Sequence, residues 1–347
     1  MPVPGPKPGG VVIRMQAAPV LSYMRKVIDG SLNYAMPPLP FIPGTNGTGV
    51  VESVGPGVYH VQPGQRVSLN PHYVADERVS EPAQILIGLT AMGSARLPGV
   101  ATETLALQRD WPDGVFAEYA QLPAACVTPV TGLDAVPQAQ VAALGKFAVP
   151  YGGFLRGNFA AGETAVVNGA SGYFGSAGVL LAIAMGAARV IAAGRDVAAL
   201  DGVARTAGLR VHPVALSGNV ERDAEALRTA AGGGVDFALD MVGRANSAAS
   251  TMATLKALRR RGRLVLMGSV SEPLPISVGE MLANDWSVMG QFMYPREAPA
   301  RMLALIAAGL LDLKKVNTQC FALRDLPAAM DAAAKMRGLD ATILEYT

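Results

Sequence analysis

The segment from residue 163 to residue 178, ETAVVNGASGYFGSAG, constrains the fold of this chain more than any other part of the sequence. A short β-type run, Thr164–Asn168, leads into three glycines spaced three residues apart, and an apolar helix is expected to follow. Glycines let the backbone turn tightly and approach phosphates, and the free N–H groups at a helix start attract negative charge. The segment therefore predicts the seat of a dinucleotide pyrophosphate, formed by Gly169, Ala170, Ser171, Gly172, Tyr173, Phe174 and Gly175.

The residues after the next predicted strand favour one nicotinamide cofactor over the other. The spacing G-x-x-G-x-x-G differs from the commoner G-x-G-x-x-G, so the prediction also depends on a second strand, 189–193, that ends in Gly194-Arg195. An acidic residue at this position binds ribose hydroxyls, whereas an arginine accommodates a 2′-phosphate. Arg195 beside Gly194 therefore favours NADP(H). In the alternative, Arg195 points to water and Asp196 binds the ribose.

Composition indicates a two-domain protein in a reducing compartment. A chain of 347 residues can form two domains with full cores, and half of its residues are apolar. The formal net charge of +2 predicts binding to neither nucleic acid nor an anionic membrane. Cys126 and Cys320 have no metal-ligand spacing, and the proline-rich start does not resemble a secretory signal, so we expect structural thiols and a cytoplasmic location.

Two segments could suggest other functions. Residues 164–188 carry no charge and are numerous enough to span a bilayer, but a strand, a glycine turn and a helix account for their composition. The basic run 259–263 is expected to be the C-terminal end of a helix, where cations suit the helix dipole, stopped by Gly262. Neither segment predicts a membrane or nucleic-acid function.

Strand and helix patterns alternate between residues 164 and 308, as in a doubly wound parallel sheet. Ligands bind at the carboxyl ends of the strands in such sheets. Four residues that follow two of the predicted strands are therefore expected to line the nicotinamide half of the cofactor: Met241, Val242, Gly268 and Ser269. Short strands precede residue 130, and two more surround a helix after residue 311. We expect one domain at 1–132 with 311–347, and another at 133–310.

Three segments resemble motifs of the medium-chain dehydrogenase/reductase superfamily: residues 40–55, PFIPGTNGTGVVESVG, residues 63–67, PGQRV, and residues 114–119, GVFAEY. The glycine turn lies where the cofactor motif of this superfamily lies, and the resemblance covers nearly the whole chain. It implies an α/β protein with a GroES-like β-barrel catalytic domain. The second domain is implied to be a Rossmann domain, whose doubly wound parallel sheet binds the cofactor.

The chain departs from the zinc-dependent members of this superfamily at the metal ligands. The resemblance puts Leu21 at the first cysteine, Thr45 at the histidine and Phe147 near the second cysteine. A catalytic zinc needs three protein ligands. The segment 70–113 also lacks the four cysteines that hold structural zinc in many relatives. The sequence therefore predicts no zinc at either position.

Without a metal, a side-chain donor must stabilise the charge that develops on a substrate oxygen. Tyr23 occupies the position of the proton-relay Thr or Ser of the metal-dependent relatives, and Tyr34 resembles a tyrosine of the enoyl reductases. These two tyrosines are the candidate catalytic residues, although either ring could instead only line the pocket. The remaining candidates are Asn46, Thr45 and Phe147 for the substrate pocket and Tyr151 for contact with the nicotinamide. Lys146 is expected to be solvated and His72 to be structural.

The resemblance implies a zinc-independent, NADPH-dependent reductase similar to the quinone-reductase and enone-reductase branches, with a quinone or an α,β-unsaturated carbonyl compound as its substrate. One alternative is an alcohol or aldehyde dehydrogenase of the same superfamily that works without zinc. Another is a non-catalytic NADPH-binding protein. The predicted edge strand Ser287–Gly290, which could pair with its copy in a second subunit, predicts a homodimer.

Overall fold

The computed structural model of the chain describes residues 3, 5–32, 34–91, 100–243 and 245–346. Its strands are β1 (Gly10–Pro19), β2 (Gly47–Val54), β3 (Arg66–Leu69), β4 (His72–Val74), β5 (Gln84–Leu86), β6 (Thr90–Ala91), β7 (Tyr119–Pro123), β8 (Val127–Pro129), β9 (Thr164–Asn168), β10 (Arg189–Gly194), β11 (Val211–Ala215), β12 (Val235–Asp240), β13 (Leu258–Leu266), β14 (Ser287–Gly290), β15 (Asn317–Ala322) and β16 (Asp340–Glu345). Its helices are α1 (Met24–Ile28), α2 (Thr102–Asp110), α3 (Gln138–Ala142), α4 (Gly145–Arg156), α5 (Tyr173–Ala184), α6 (Val197–Ala207), α7 (Val220–Ala231), α8 (Ala249–Lys256), α9 (Val278–Asn284), α10 (Ala298–Ala307) and α11 (Leu326–Ala333).

A parallel sheet forms the centre of the second half of the chain. Its strand order is β11-β10-β9-β12-β13-β14, and each neighbouring pair is parallel. Every residue of β12 is buried, as expected for a central strand of a sheet covered on both faces. The connections run outwards from β9 on one side and from β12 on the other, so a crevice opens where these two strands end. This confirms the predicted doubly wound sheet.

A second sheet contains the first strands of the chain together with the last. Its order is β15-β16-β1-β2-β3-β8, and β7 pairs with β1 as well. Ala17 of β1 is opposite Glu345 of β16 in an antiparallel pair. The chain after residue 311 therefore returns to the first sheet, as predicted, while the exact domain boundaries stay a prediction.

The segment that sequence patterns left without a predicted structure, 70–113, folds partly into a small sheet. β4, β5 and β6 form this sheet, and α2 packs beside it. His72 begins β4, and one of its ring nitrogens lies 3.0 Å from Gln84 Oε1 on the neighbouring strand. Its ring is half-buried and edge-on to Phe292, so the prediction of a hydrogen-bonded structural histidine is confirmed. Residues 92–99 of this segment lie outside the described residues.

The prediction that the basic run 259–263 ends a helix is wrong. The helix α8 ends at Lys256, and the arginines lie at the start of β13. Arg261 has a φ of +65°, and the register of β13 against β12 shifts at this point, which is the signature of a β-bulge. Arg259 pairs with Asp236 on β12, and Arg260 donates to Asp285 at 2.9 Å. Their charges are therefore matched by neighbouring carboxylates rather than by a helix dipole.

Two further predictions concern the uncharged segment 164–188 and the two cysteines. Among the described residues, the helices are all too short or too polar to cross a membrane. Residues 164–188 form β9, the glycine turn and α5. Cys126 is a buried free thiol and Cys320 an exposed one, so neither joins a disulfide bond.

Candidate functional site

The crevice of the parallel sheet is built from the ends of β9 and β12. Asn168, the last residue of β9, donates from Nδ2 to Oδ2 of Asp240, the last residue of β12, at 3.0 Å. Thr251 of α8 donates to the same carboxylate oxygen at 2.6 Å. Burial raises the pKa of the Asp240 carboxyl. This network fixes the two strand ends together at the point where the sheet order reverses.

Asn168 also has a buried acceptor that is not used. Its Oδ1 atom is buried and makes no hydrogen bond within the described part of the chain, although the residue lines the cavity. A buried carbonyl without a partner costs free energy, on the order of 1–3 kcal/mol. A bound molecule that donates a hydrogen bond here would remove this cost. Sequence patterns did not indicate Asn168, since a polar residue at a strand end is common.

The glycine turn that follows β9 leaves no room for side chains. Gly169 has a φ of +82°, which favours glycine, and a Cβ at Gly175 would lie 2.6 Å from the carbonyl carbon of Gly169 and closer still to its oxygen. The N–H groups of Gly169 and Ala170 both bond the carbonyl of Ala193 at 2.9 Å. Gly172 caps α5 without a side-chain hydrogen bond, so the first N–H groups of this helix are available to an anion.

A groove with a volume of about 690 Å³ runs along these strand ends. Seven of the residues predicted to bind the cofactor line it: Gly169, Ser171, Gly172, Gly194, Arg195, Met241 and Val242. Asp196, the alternative ligand for the ribose, lines it as well. Residues that the sequence analysis did not indicate also line it: Asn168, Leu216, Ser217, Gly218, Gly243, Ala245, Asn246, Ser247, Ala249 and Ser250. Apart from Asn168, these residues come from the segments after β11 and β12, including the start of α8, which the glycine motif does not reach in sequence.

The other residues predicted to bind the cofactor do not line this groove. Ala170 is fully buried, and Tyr173 is nearly so. Gly268 donates from its N–H group to the carbonyl of Asp240 at 3.0 Å, and the N–H of Ser269 donates to Val242 at 2.8 Å. These hydrogen bonds join the loops after β12 and β13, the two loops that are expected to line the nicotinamide half of the cofactor. Direct contact of Phe174, Gly268 and Ser269 with a cofactor stays a prediction.

Two charged residues follow β10 at one end of the groove. Asp196 caps α6 by accepting from the N–H of Ala199 at 3.1 Å, and its second oxygen lies 3.1 Å from the guanidinium of Arg337. Arg195 is exposed and makes no hydrogen bond or ion pair with any described residue. A Cβ at Gly194 would lie 3.0 Å from Ser171 Oγ, so a larger residue would crowd the turn. The Asp196 carboxylate is thus already engaged, while two guanidinium groups lie beside the groove.

Tyr151 lies farther from the groove than the sequence analysis suggested. It is on α4, almost fully buried, and its hydroxyl lies beside Arg301 of α10. Burial raises the pKa of this hydroxyl. The groove is not lined by Tyr151, and its contact with a nicotinamide stays a prediction.

The residues that align with the zinc ligands of the zinc-dependent relatives lie in the core. Leu21 and Thr45 are buried, and Phe147 is fully buried, so its side chain lies behind the surface of any cleft. The residue that packs against Asn46 is Gly145, where a Cβ would come within 2.7 Å of the Asn46 Cβ. None of these side chains carries a thiol or an imidazole. Within the described ranges, no group of three or more His, Cys, Asp or Glu residues is placed to hold a metal ion.

The candidate catalytic tyrosines both pack against the core of the first sheet. Tyr23 caps α1, and Tyr34 follows this helix in the chain. Both side chains are half-buried against the core of the first sheet, and each interacts with another residue of the chain. Neither lines the groove. Their assignment as proton donors stays a prediction.

Two buried polar side chains lie near Asn46: Thr45, a predicted substrate-pocket residue, and Tyr294, which was not predicted from the sequence. The hydroxyl of Tyr294 is buried beside the Asn46 amide, and burial raises its pKa. The hydroxyl of Thr45 is also buried and makes no hydrogen bond with the described residues. No periodicity in the sequence indicates Tyr294, because it follows β14 in an irregular segment. Thr45, Asn46 and Tyr294 therefore form a small polar cluster between the two sheets.

A second cavity, of about 580 Å³, lies away from the groove between β4, the end of α4 and the start of α10. Three arginines line it, namely Arg156, Arg296 and Arg301. Glu77 and Glu297 line it as well, and Arg301 pairs with Glu297 at 3.6 Å. The positive charge of this cavity is therefore partly offset by its own carboxylates.

Family models match both halves of the chain. The model described as "Alcohol dehydrogenase GroES-like domain" matches residues 7–132, which contain most of the first sheet. The model described as "Zinc-binding dehydrogenase" matches residues 174–308, which contain the helix after the glycine turn and most of the parallel sheet. The GroES-like fold expected for the first domain is thereby confirmed.

Individual relatives agree with this assignment over nearly the full length. The chain is 29% identical to an alcohol dehydrogenase of Moraxella sp. over 315 residues, 88% of this chain and 84% of the relative. A shorter alignment, 32% identical over 209 residues, covers 60% of this chain and 57% of an Agrobacterium fabrum protein provisionally named D-xylulose reductase. The structure of the alcohol dehydrogenase TADH from Thermus sp. ATN1 superposes with a TM-score of 0.80 at 20% identity, over 100% of this chain and 95% of that one.

Proposed function

This chain belongs to the medium-chain dehydrogenase/reductase superfamily of oxidoreductases, and from that premise we propose that it is an NADPH-dependent reductase that works without zinc. Its proposed substrate is an activated carbonyl compound, either a quinone or an α,β-unsaturated carbonyl. The observation that carries this proposal is the groove at the ends of β9 and β12, which Arg195 lines, together with the finding that the described residues include no group of three or more His, Cys, Asp or Glu placed to hold a metal ion.

The groove has the features that a dinucleotide requires. The glycine turn is closed to side chains, the start of α5 offers free N–H groups, and Asn168 Oδ1 lacks a donor. When bound, the dinucleotide supplies the hydride. The free N–H groups at the start of α5, beside the glycine turn, would hold its pyrophosphate, and the loops after β12 and β13 would orient its nicotinamide end.

The charges at the end of β10 favour NADPH over NADH. Both oxygens of Asp196 already accept a hydrogen bond, which leaves this carboxylate less acceptor capacity for ribose hydroxyls. A 2′-phosphate instead needs cationic donors; Arg195 lines the groove, and the Arg337 guanidinium lies 3.1 Å from Asp196. The sequence prediction of NADP(H) is kept here as a proposal.

The residues present do not fit a catalytic zinc. The matching family model is described as zinc-binding, but the corresponding positions of this chain hold Leu21, Thr45 and either Gly145 or Phe147. Zinc in proteins is bound by thiolate, imidazole and carboxylate groups, three of them in catalytic sites. We therefore derive no step through a metal.

Without a Lewis acid, the acceptor must already be activated. Hydride addition to a quinone or a conjugated carbon–carbon double bond leaves the charge delocalised onto oxygen, so a hydroxyl donor suffices to complete the reduction. Tyr23 or Tyr34 would donate this proton. An unactivated alcohol would need its hydroxyl deprotonated, which the side chains around Thr45 are poorly suited to do.

The experiment is to follow oxidation of NADPH and of NADH in metal-stripped protein with a panel of quinones, enones and simple aldehydes. We expect turnover of a quinone or an enone, with NADPH preferred and no effect of a chelator. A requirement for added zinc would overturn the zinc-free mechanism. Binding of NADPH with no turnover of any acceptor would instead identify a non-catalytic binding protein.

An alcohol or aldehyde dehydrogenase is the second candidate, because some of the relatives that align over most of the chain carry the name alcohol dehydrogenase and others the name sorbitol dehydrogenase. Reduction of a simple aldehyde but not of an enone would favour it. The two free cysteines fit a cytoplasmic location for either enzyme.

We also propose a homodimer, because β14 is an edge strand of the parallel sheet and leaves unpaired backbone groups on one side. Pairing of two β14 strands across a twofold axis would satisfy them. Sedimentation that finds only monomer at micromolar concentration would refute this proposal.

A further inference from the structure

A lysine lies fully buried at the start of α4, contrary to the expectation that it is solvated. Lys146 is 0% exposed, and its Nζ atom donates to the carbonyls of Gly338 at 2.8 Å and Asp340 at 3.1 Å. It also lies 4.0 Å from the centre of the Tyr173 ring. An ammonium group has three donors, so two bond carbonyls and the third faces an aromatic ring. Every donor of this buried group therefore has a partner.

The partners of Lys146 connect two parts of the chain that meet at the groove. Tyr173 is the first residue of α5, directly after the glycine turn. Gly338 and Asp340 belong to the segment 336–340, which leads into β16 of the other sheet. Lys146 thus lies between the helix that follows the cofactor-binding turn and a segment that is fixed to the first sheet.

The same segment touches the turn directly. The N–H of Gly338 donates to the carbonyl of Ser171 at 2.9 Å, and Ser171 lines the groove. The hydroxyl of Ser176 on α5 donates to the carbonyl of Gly338, which is the acceptor that Lys146 also uses. One residue, Gly338, therefore bonds the turn through its N–H group and accepts from α4 and α5 through its carbonyl oxygen.

Burying an ammonium group is costly, and a methionine of similar length would fill this space without that cost. The cost is offset here only through the hydrogen bonds to the segment 336–340 and the contact with Tyr173. We propose that Lys146 is a positioning residue, which fastens the segment 336–340 to the cofactor-binding turn and so holds Ser171 and the start of α5 in the geometry that the dinucleotide needs. The part that concerns the dinucleotide depends on the proposed function.

The protonation of Lys146 couples to binding. Burial lowers the pKa of Lys146 to about 7, against the attraction of Asp340, the charged group that acts on it from β16. Tyr173, the titratable group that faces it from α5, keeps its proton because burial raises its pKa. A bound anion at the start of α5 stabilises the ammonium form, and this linkage is reciprocal. The affinity for NADPH should therefore fall as the pH rises through 7.

The first test uses Lys146→Met and needs no cofactor. Because the Gly338 N–H group bonds Ser171, its hydrogen exchange reports the attachment of the segment 336–340 to the turn. We expect at least tenfold faster exchange there in the variant, while exchange in β12 is unchanged. Lys256→Met is the matched control, since Lys256 pairs with Glu221 and Glu280 at the surface, away from the turn. Equal protection of Gly338 in Lys146→Met and wild type would overturn the proposal.

The second test measures the dissociation constant for NADPH from pH 6 to 9. We expect it to rise about tenfold in Lys146→Met at pH 6, and its increase with pH to be present in wild type and absent from the variant. Unchanged affinity with the wild-type pH profile would overturn the role in binding. If wild type binds no dinucleotide, the proposed function fails, whereas the exchange test still decides the role of Lys146. If Lys146→Met does not fold, Ser176→Ala removes the other side-chain donor to Gly338. This variant is expected to speed exchange at Gly338 and to weaken NADPH binding to a smaller extent, with the pH dependence kept because Lys146 is intact. No change in exchange or affinity there refutes the proposal.

Discussion

Substitution of Gly175 by alanine tests whether the turn after β9 has no space for a side chain. Gly175 lies in the first turn of α5, where a Cβ would meet the carbonyl carbon of Gly169 at 2.6 Å. Ordinary contacts begin at 3.4 Å and the carbonyl oxygen of Gly169 would lie closer than its carbon, so the two backbone segments must separate by more than about 1 Å. The atoms in the way belong to the backbone, and a change of side-chain rotamer cannot relieve the clash.

Two effects of the change oppose each other in stability. Alanine in place of glycine favours a helix by about 1 kcal/mol. Overpacking of this kind costs about 1–3 kcal/mol. The net loss of stability is therefore modest, roughly 0–2 kcal/mol, and the variant should fold. The effect on binding should be larger, because a displacement of about 1 Å in a binding geometry costs on the order of 100-fold.

The assay is the dissociation constant for NADPH, measured by quenching of protein fluorescence, together with unfolding by urea. Gly202→Ala is the matched control, because Gly202 lies in the interior of α6 and its Cβ would meet nothing within 4 Å. We expect the control to gain about 0.5–1 kcal/mol of stability and to bind NADPH as wild type does. If Gly175→Ala binds NADPH within threefold of wild type, the turn is not the pyrophosphate site.

Three further outcomes are expected. Arg195→Ala should weaken NADPH about 10- to 100-fold by loss of a charge-assisted hydrogen bond, and leave NADH binding unchanged, in parallel titrations of both cofactors. Tyr23→Phe should lower kcat about 100-fold with little change in KM if this hydroxyl is the general acid. A Tyr34→Phe variant that turns over at the wild-type rate would exclude Tyr34 as the general acid. Burial lowers the pKa of Lys146 from 10.5 to about 7, so between these values the unfolded chain binds a proton that the folded chain does not. The stability of wild type relative to Lys146→Met should therefore rise with pH in that window. In urea unfolding we expect an increase on the order of 2 kcal/mol from pH 7 to 9. A constant difference between the two proteins over this range would show that Lys146 does not titrate there.

The parallel sheet was predictable from the sequence because its signals are local. Thr164–Asn168, Val235–Asp240 and Ser287–Gly290 are short apolar or β-type runs bounded by glycine or polar residues, and each forms the predicted strand. The basic run at Arg259 was misassigned because charge near a helix end and charge on a bulged strand look alike without the positions of Asp236 and Asp285.

The parts of the candidate site that depend on distant contacts were not predictable. Lys146 is a lone charged residue in the sequence, and only the carbonyls of Gly338 and Asp340, almost 200 residues away, account for its burial. Tyr294 meets Asn46 across a similar separation. The sequence comparison puts the second cysteine of the zinc-dependent relatives near Phe147, which is fully buried, and this alignment stays a prediction.

The pairing of β1 with β16 has a consequence for synthesis of the protein. Ala17 and Glu345 are opposite each other, yet they leave the ribosome on the order of 300 residues apart, roughly 20 to 60 s at common elongation rates. β9 to β14 are complete well before then and can pair among themselves. One edge of β1 near Ala17 is therefore without its partner strand while the chain from β2 to β15 is synthesised. The nascent chain is expected to need shielding at this edge, for example by a chaperone, until its final strand arrives.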